Sequence, residues 1–222
     1  MNYIYVIFLF YIKIVNSNLL FVHNLIIKNK INLNYKKNII DYCSPCVYIE
    51  KENINNRILT NEHIFPISHM KKNNKFDNYK YAKNDMHNLF KTTEKLNSIR
   101  SNYKFTDIEN EYLNENWRIL ENNNYINNKK KLFIPANNSK GIIARAILHM
   151  SYTYNYKIEK IIDLNILIKW TLKYSPNKDE IYYNNMVKSI QYTDNIFIKN
   201  YSNNKKILNI YINKIKKNIK NG

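Results

Sequence analysis

The sequence predicts a mixed α+β domain, and three observations carry that expectation. Between Ile58 and Arg100 a strand-like run, a polar stretch, a second short apolar run and a capped helix follow one another. From Ser139 to Gln191, apolar residues recur at helical spacing in successive segments. A chain of 222 residues holds one moderate domain with a leader and a tail, and nothing in it requires two.

Taken in order, Tyr3 to Ile12 is an apolar run of signal-peptide length, and Val15-Asn16-Ser17 offers a cleavage site, so residues 1–17 read as a signal peptide. No Lys or Arg precedes the run. A retained anchor would have to reach Val22 and bury Lys13 at a cost of about 3 kcal/mol. Residues 18–41 are rich in Asn and Lys and read as a basic linker or a second targeting segment. The folded domain is expected over 42–202 and a basic tail over 203–222. Cys43 and Cys46 can close a local disulfide in an oxidising compartment, whereas in a reducing one the pair is inert or redox-active.

Within the domain, Ile58 to Pro66 is strand-like and stops at the proline. Residues 67–84 read as a polar loop, Met86 to Phe90 as a second short strand, and Thr92 or Thr93 as the cap of a short helix. The Asn- and Lys-rich patch 121–131 is expected on the surface. Ser139 can cap a helix carrying Ile142, Ile143, Ala146, Ile147 and Met150, and Asp163 one carrying Leu164, Leu167, Ile168 and Leu172. Pro176 marks the start of a third, running toward Gln191.

Charge narrows the choice of partner: 35 basic against 17 acidic residues give a net charge of +18, a field that attracts nucleic acid, anionic membrane or acidic protein. The abundance of Asn, Lys, Ile and Tyr matches A/T-rich codon usage, so composition alone decides nothing and the motifs must.

Glu62-His63 places a hard oxygen ligand for a divalent cation beside a base that titrates near neutrality, although neighbouring side chains on a strand face opposite ways unless the backbone bends. Downstream stand Asp85-Met86-His87-Asn88-Leu89 and then Leu96-Asn97-Ser98-Ile99-Arg100-Ser101-Asn102. Further blocks are Phe133-Ile134-Pro135 leading to Lys140-Gly141-Ile142-Ile143-Ala144-Arg145-Ala146, and Leu167-Ile168-Lys169-Trp170 followed by Ile190-Gln191 and Asn195-Ile196-Phe197-Ile198.

In order and spacing these blocks resemble the bacterial endonuclease I family of His-Me finger nucleases. The resemblance departs from the family pattern at Asn61, Tyr192 and Ile196, and residues 67–84 contain no arginine to stabilise a leaving group.

It implies a small ββα metal finger packed among several helices and a metal-dependent endonuclease of little sequence preference. Glu62 and Asn97 would hold Mg²⁺ or another hard cation such as Ca²⁺ or Mn²⁺, and His63 would be the general base. The products would carry 5′-phosphates. Arg100 would act in catalysis and, with Lys140 and Arg145, contact nucleic acid, unless either arginine braces a carboxylate instead. Asp85, His87 and Asn88 would support the finger, and His149 is read as a solvated or packed imidazole. DNA, and RNA as a further substrate, are the expected partners of a monomer without a small-molecule cofactor. It would be free of stable membrane association once the leader is cleaved, and secreted or delivered to an organelle. The alternatives are a catalytically silent nucleic-acid-binding protein and an RNA-preferring enzyme of the same fold.

Overall fold

Strand β1, Leu59–His63, pairs antiparallel with β2, Leu89–Thr93, setting Glu62 opposite Phe90 and His63 opposite Leu89. The second strand starts three residues later than the sequence suggests. Met86–Asn88 forms a 3-10 turn instead, because the Asp85 Oδ1 accepts the His87 amide at 2.9 Å and closes the chain before it can extend. Helix α2, Glu94–Arg100, follows β2 without a break. Of the two candidate caps it uses Thr93, whose Oγ1 accepts the Leu96 amide at 3.2 Å. Of the stretch 67–84, read as a polar loop, the described residues hold a 3-10 turn at Ile67–His69 and helix α1 at Tyr79–Lys83.

This computed structural model describes residues 43–50, 57–70, 78–108 and 113–201, with positions 37, 40, 41, 209, 210, 212 and 213. The expected signal peptide 1–17, the anchor reading, most of the linker to residue 41 and most of the tail 203–222 lie outside the described residues. Among the described residues no helix is long and apolar enough to cross a membrane.

A second sheet has the order β3-β6-β5-β4, built from Lys104–Phe105, Leu132–Ile134, Asn124–Asn127 and Arg118–Leu120. Its β3 and β6 run parallel and the other pairs antiparallel. Part of the patch expected on the surface is therefore inside. Asn124 and Asn127 are buried and tolerated because their amides replace backbone partners: Asn124 Nδ2 donates to Tyr48 O and Glu121 O, each at 2.7 Å, while its Oδ1 accepts the Ala136 amide at 2.9 Å.

The helical third consists of α3 (Asn137–Tyr154), α4 (Leu164–Lys173), α5 (Lys178–Gln191) and the short α6 (Ile196–Lys199). Asp163 caps α4, accepting the Asn165 amide, and Asn177 rather than a proline-led turn caps α5, accepting the Glu180 amide. Ser139 caps nothing. Helix α3 begins two residues earlier, and the Ser139 hydroxyl accepts the Tyr48 amide at 2.9 Å, tying the N-terminal segment to this helix. Ile142, Ile143, Ala146, Ile147 and Met150 all face the core, as their spacing requires. Gly141 allows α3 to approach the end of α4: a Cβ there would lie 2.7 Å from Tyr174 O and 2.8 Å from the Arg145 guanidinium.

Candidate active site

Strand β1 ends at His63, and the chain bends through Ile64 and Phe65 before Pro66. Asn88 fixes that bend from β2's side, its Oδ1 accepting the Phe65 amide at 2.7 Å and its Nδ2 donating to Phe65 O at 3.0 Å. Glu62 and His63 thereby line one cleft of about 310 Å³, together with Asn97 and Arg100 from α2 and Ser68 and Asn102 from the flanking turns. The finger topology is what brings residues 62, 63 and 97 together.

Each of the three candidate groups has one heteroatom tied back and the other left open. Glu62 Oε1 accepts from Arg100 Nη1 at 2.7 Å and from the Tyr48 hydroxyl at 3.0 Å, and no partner meets Oε2 among the described residues. Asn97 Nδ2 donates to Asn61 O at 3.3 Å, which leaves Oδ1, the atom that can ligate a cation, without a partner there. His63 Nε2 lies 2.9 Å from Lys83 O. A carbonyl can only accept, so that nitrogen carries the proton and Nδ1 presents the lone pair.

Burial lowers the His63 pKa, and the Lys83 and Arg100 charges add to the effect against the hydrogen bond to Lys83 O, which raises it. The imidazole is neutral at neutral pH. Burial raises the Glu62 pKa, opposed by the Arg100 charge and by the Tyr48 and Arg100 hydrogen bonds.

Of the arginines, Arg100 lines the cleft yet directs its guanidinium inward. Nη1 holds Glu62 and Nη2 donates to Ile64 O at 2.8 Å; its carbon lies 4.4 Å from the Phe105 ring centre and its buried Nε has no partner. Arg145 is 1% exposed and spans Glu180 with two hydrogen bonds of 2.7 and 2.5 Å, also donating to Tyr174 O. Lys140 is buried, donates to Asp107 Oδ1 at 2.9 Å and lies over the Trp170 ring. Neither residue lines the cleft, and both carry their charge to a carboxylate of the fold.

Asp85, His87 and His149 form a second group, with one ligand atom from each within 4.8 Å of the others. Both carboxylate oxygens and the Nε2 of each imidazole are already engaged. Asp85 Oδ1 accepts from the His87 amide and from Gln191 Nε2 at 3.0 Å, while Oδ2 accepts from His149 Nε2 at 2.9 Å and the Tyr154 hydroxyl at 2.8 Å. His87 Nε2 lies 2.9 Å from Thr193 O. Burial would raise the Asp85 pKa, but His149, His87 and Gln191 outweigh it and hold the carboxyl well below the usual range. The open oxygen acceptors of the first cleft suit a hard cation better than this group, whose carboxylate oxygens are both bonded within the fold.

Cys43 and Cys46 are half-buried and no disulfide joins them. Backbone bonds hold their segment instead: Val47 N donates to Lys91 O at 2.8 Å and Lys91 N to Pro45 O at 3.2 Å. Tyr48, which touches Glu62, was invisible in the sequence, where it sits in an apolar stretch bearing no motif.

The small antiparallel hairpin, its helix and the open acceptors at its end define a ββα finger of the kind that presents a carboxylate, an amide and an imidazole to one cleft. The sequence pattern described as Endonuclease I matches residues 13–202, and the chain belongs to that family. It is also similar to the Endonuclease-1 of Buchnera aphidicola subsp. Baizongia pistaciae (strain Bp), with 30% identity over 121 residues, 54% of this chain. The match spans about half, 48%, of that relative's length.

Proposed function

We propose that this chain is a metal-dependent endonuclease that hydrolyses phosphodiester bonds of DNA, and of RNA where it is offered, with little sequence preference. One observation carries the reading: Glu62 Oε2, Asn97 Oδ1 and His63 Nδ1 all lack partners among the described residues, and the three residues line the same cleft. Two hard oxygens beside a neutral imidazole fit a cation such as Mg²⁺ together with a base. Bound there, the cation would stabilise negative charge on the phosphate and the departing 3′ oxygen.

The chain's own residues do the rest. His63 Nδ1 takes a proton from the attacking water, while its Nε2–H stays on Lys83 O and fixes the ring. Arg100 acts at one remove from the substrate, holding Glu62 and the Ile64 carbonyl, so that phosphate contact falls to cleft groups such as Ser68 and Asn102 and to the positive field. Cleavage of the bond to the 3′ oxygen leaves 5′-phosphate ends.

The test is to incubate the protein with supercoiled plasmid and with single-stranded RNA, with Mg²⁺ and with chelator, beside His63→Ala. Metal-dependent nicking by the native protein and a loss of about 10²–10⁴ in the variant are expected. Binding of plasmid without metal-dependent nicking would make the protein a silent binder.

A further inference from the structure

We infer that Tyr48 is a positioning residue for the metal-binding carboxylate, setting the affinity and the cation preference of the cleft; this rests on Glu62 being a ligand as proposed above. The hydroxyl of Tyr48 donates to Glu62 Oε1 at 3.0 Å, the same oxygen that Arg100 Nη1 reaches at 2.7 Å. Two donors on one oxygen fix the rotation of the carboxylate and leave Oε2 as its open atom. Arg100 alone would anchor one point without defining the plane.

The surrounding structure holds Tyr48 in a conformation it would not choose. Its φ of 66° is a left-handed value that costs a bulky side chain of order 1 kcal/mol or more. Ser139 Oγ accepts its amide at 2.9 Å, and Asn124 and Asn122 donate to its carbonyl at 2.7 and 3.5 Å. The ring is completely buried and meets Phe133 edge-on at 5.0 Å. Two distant segments, around residues 122–124 and at Ser139, thus fix the backbone of one tyrosine whose hydroxyl donates to the carboxylate that the cleft presents.

Mg²⁺ demands near-ideal octahedral geometry, whereas Ca²⁺ accepts variable arrangements. A carboxylate free to rotate should therefore penalise Mg²⁺ more. Calorimetric titration of Tyr48→Phe with each cation, without DNA, tests this beside Glu62→Ala. Loss of an outer partner typically costs 10–100-fold in affinity. The Mg²⁺ Kd should rise at least tenfold and the Ca²⁺ Kd by less, with kcat for plasmid nicking falling and KM unchanged.

Unchanged Mg²⁺ affinity in Glu62→Ala would remove the ligand assignment itself. Loss of binding in Glu62→Ala with a Tyr48→Phe Kd within twofold of native, or with equal losses for both cations, would overturn the role of Tyr48 alone. Should Tyr48→Phe fail to fold, Ser139→Ala carries the test. Its hydroxyl bonds only the Tyr48 amide and Asn138, so a fall in Mg²⁺ over Ca²⁺ preference supports the inference and no change in either Kd overturns it.

Discussion

His63 owes its reactive lone pair to a carbonyl twenty residues along the chain. With Lys83 O occupying Nε2, the tautomer that leaves Nδ1 unprotonated is selected, and burial keeps the ring neutral below the usual imidazole pKa. Activity should therefore rise with pH through a midpoint below ~6.5 and stay flat above it. A nicking series from pH 5 to 9 at saturating Mg²⁺ checks the sign; a midpoint above 6.5 would mean that another group limits the rate. At this scale the sequence singled out Glu62, His63 and Asn97 because their signal is local motif, and the structure puts all three on the lining of one cleft. The sequence left open whether Arg145 contacts phosphate or braces a carboxylate, and could not decide between the two. The partner Glu180 lies 35 residues downstream, and an arginine reads the same in a sequence whether its anion is a substrate phosphate or a neighbouring carboxylate.

At the scale of elements, the junction between the 3-10 turn and β2 is tied down by α3 and α5. Gln191 Oε1 accepts the Met86 amide at 2.8 Å, Tyr183 donates to the Met86 and Leu89 carbonyls, and His149 and Tyr154 reach Asp85. His87, inside this junction, has its pKa lowered to about 4 by burial and by the His149 charge. The unfolded chain binds that proton near 6.5, so the stability contribution is whole above about pH 6.5 and is lost as pH falls through 4, of order 3 kcal/mol in all. Melting temperature measured from pH 7.5 to 4 should fall over that window, and less in His87→Asn. Gly141→Ala addresses a second junction. Its new methyl meets backbone at Tyr174, which cannot swing aside, so α3 and α4 must part at a cost of about 1–3 kcal/mol in a denaturant melt. Helix positions, the Asp163 cap and the apolar face of α3 were legible because they obey local periodicity; on α4 the expected face was not, since Leu172 is exposed and Leu167, Trp170 and Thr171 are the buried residues. The shift of Ser139 from cap to tether was not, since Tyr48 lies 91 residues away.

Across the whole molecule, the net charge of +18 sets how nucleic acid would be captured. Since Lys140 and Arg145 pair with Asp107 and Glu180, capture would draw on other basic groups, among them the exposed Lys129, Lys130 and Lys131. Log affinity for duplex DNA should fall linearly with log salt, by about 0.9 for each phosphate neutralised. Charge-neutral substitutions at Lys140 or Arg145 should alter stability and leave that slope unchanged, as fluorescence anisotropy at several salt concentrations would read out. The expectation of a nucleic-acid partner came from charge and motif together. Which cations are free to serve it was a matter of tertiary pairing.

The carboxylate in the cleft leans on Tyr48, from upstream of the hairpin, and Tyr48 leans on Ser139 and Asn124 from far downstream. The hairpin and its helix are therefore not a transplantable cassette. A peptide spanning residues 57–105, or a graft of that stretch onto a foreign scaffold, would keep every motif that marks the cleft and lose the hydroxyl that orients Glu62. Any redesign would have to carry over the tyrosine and its two anchors as well.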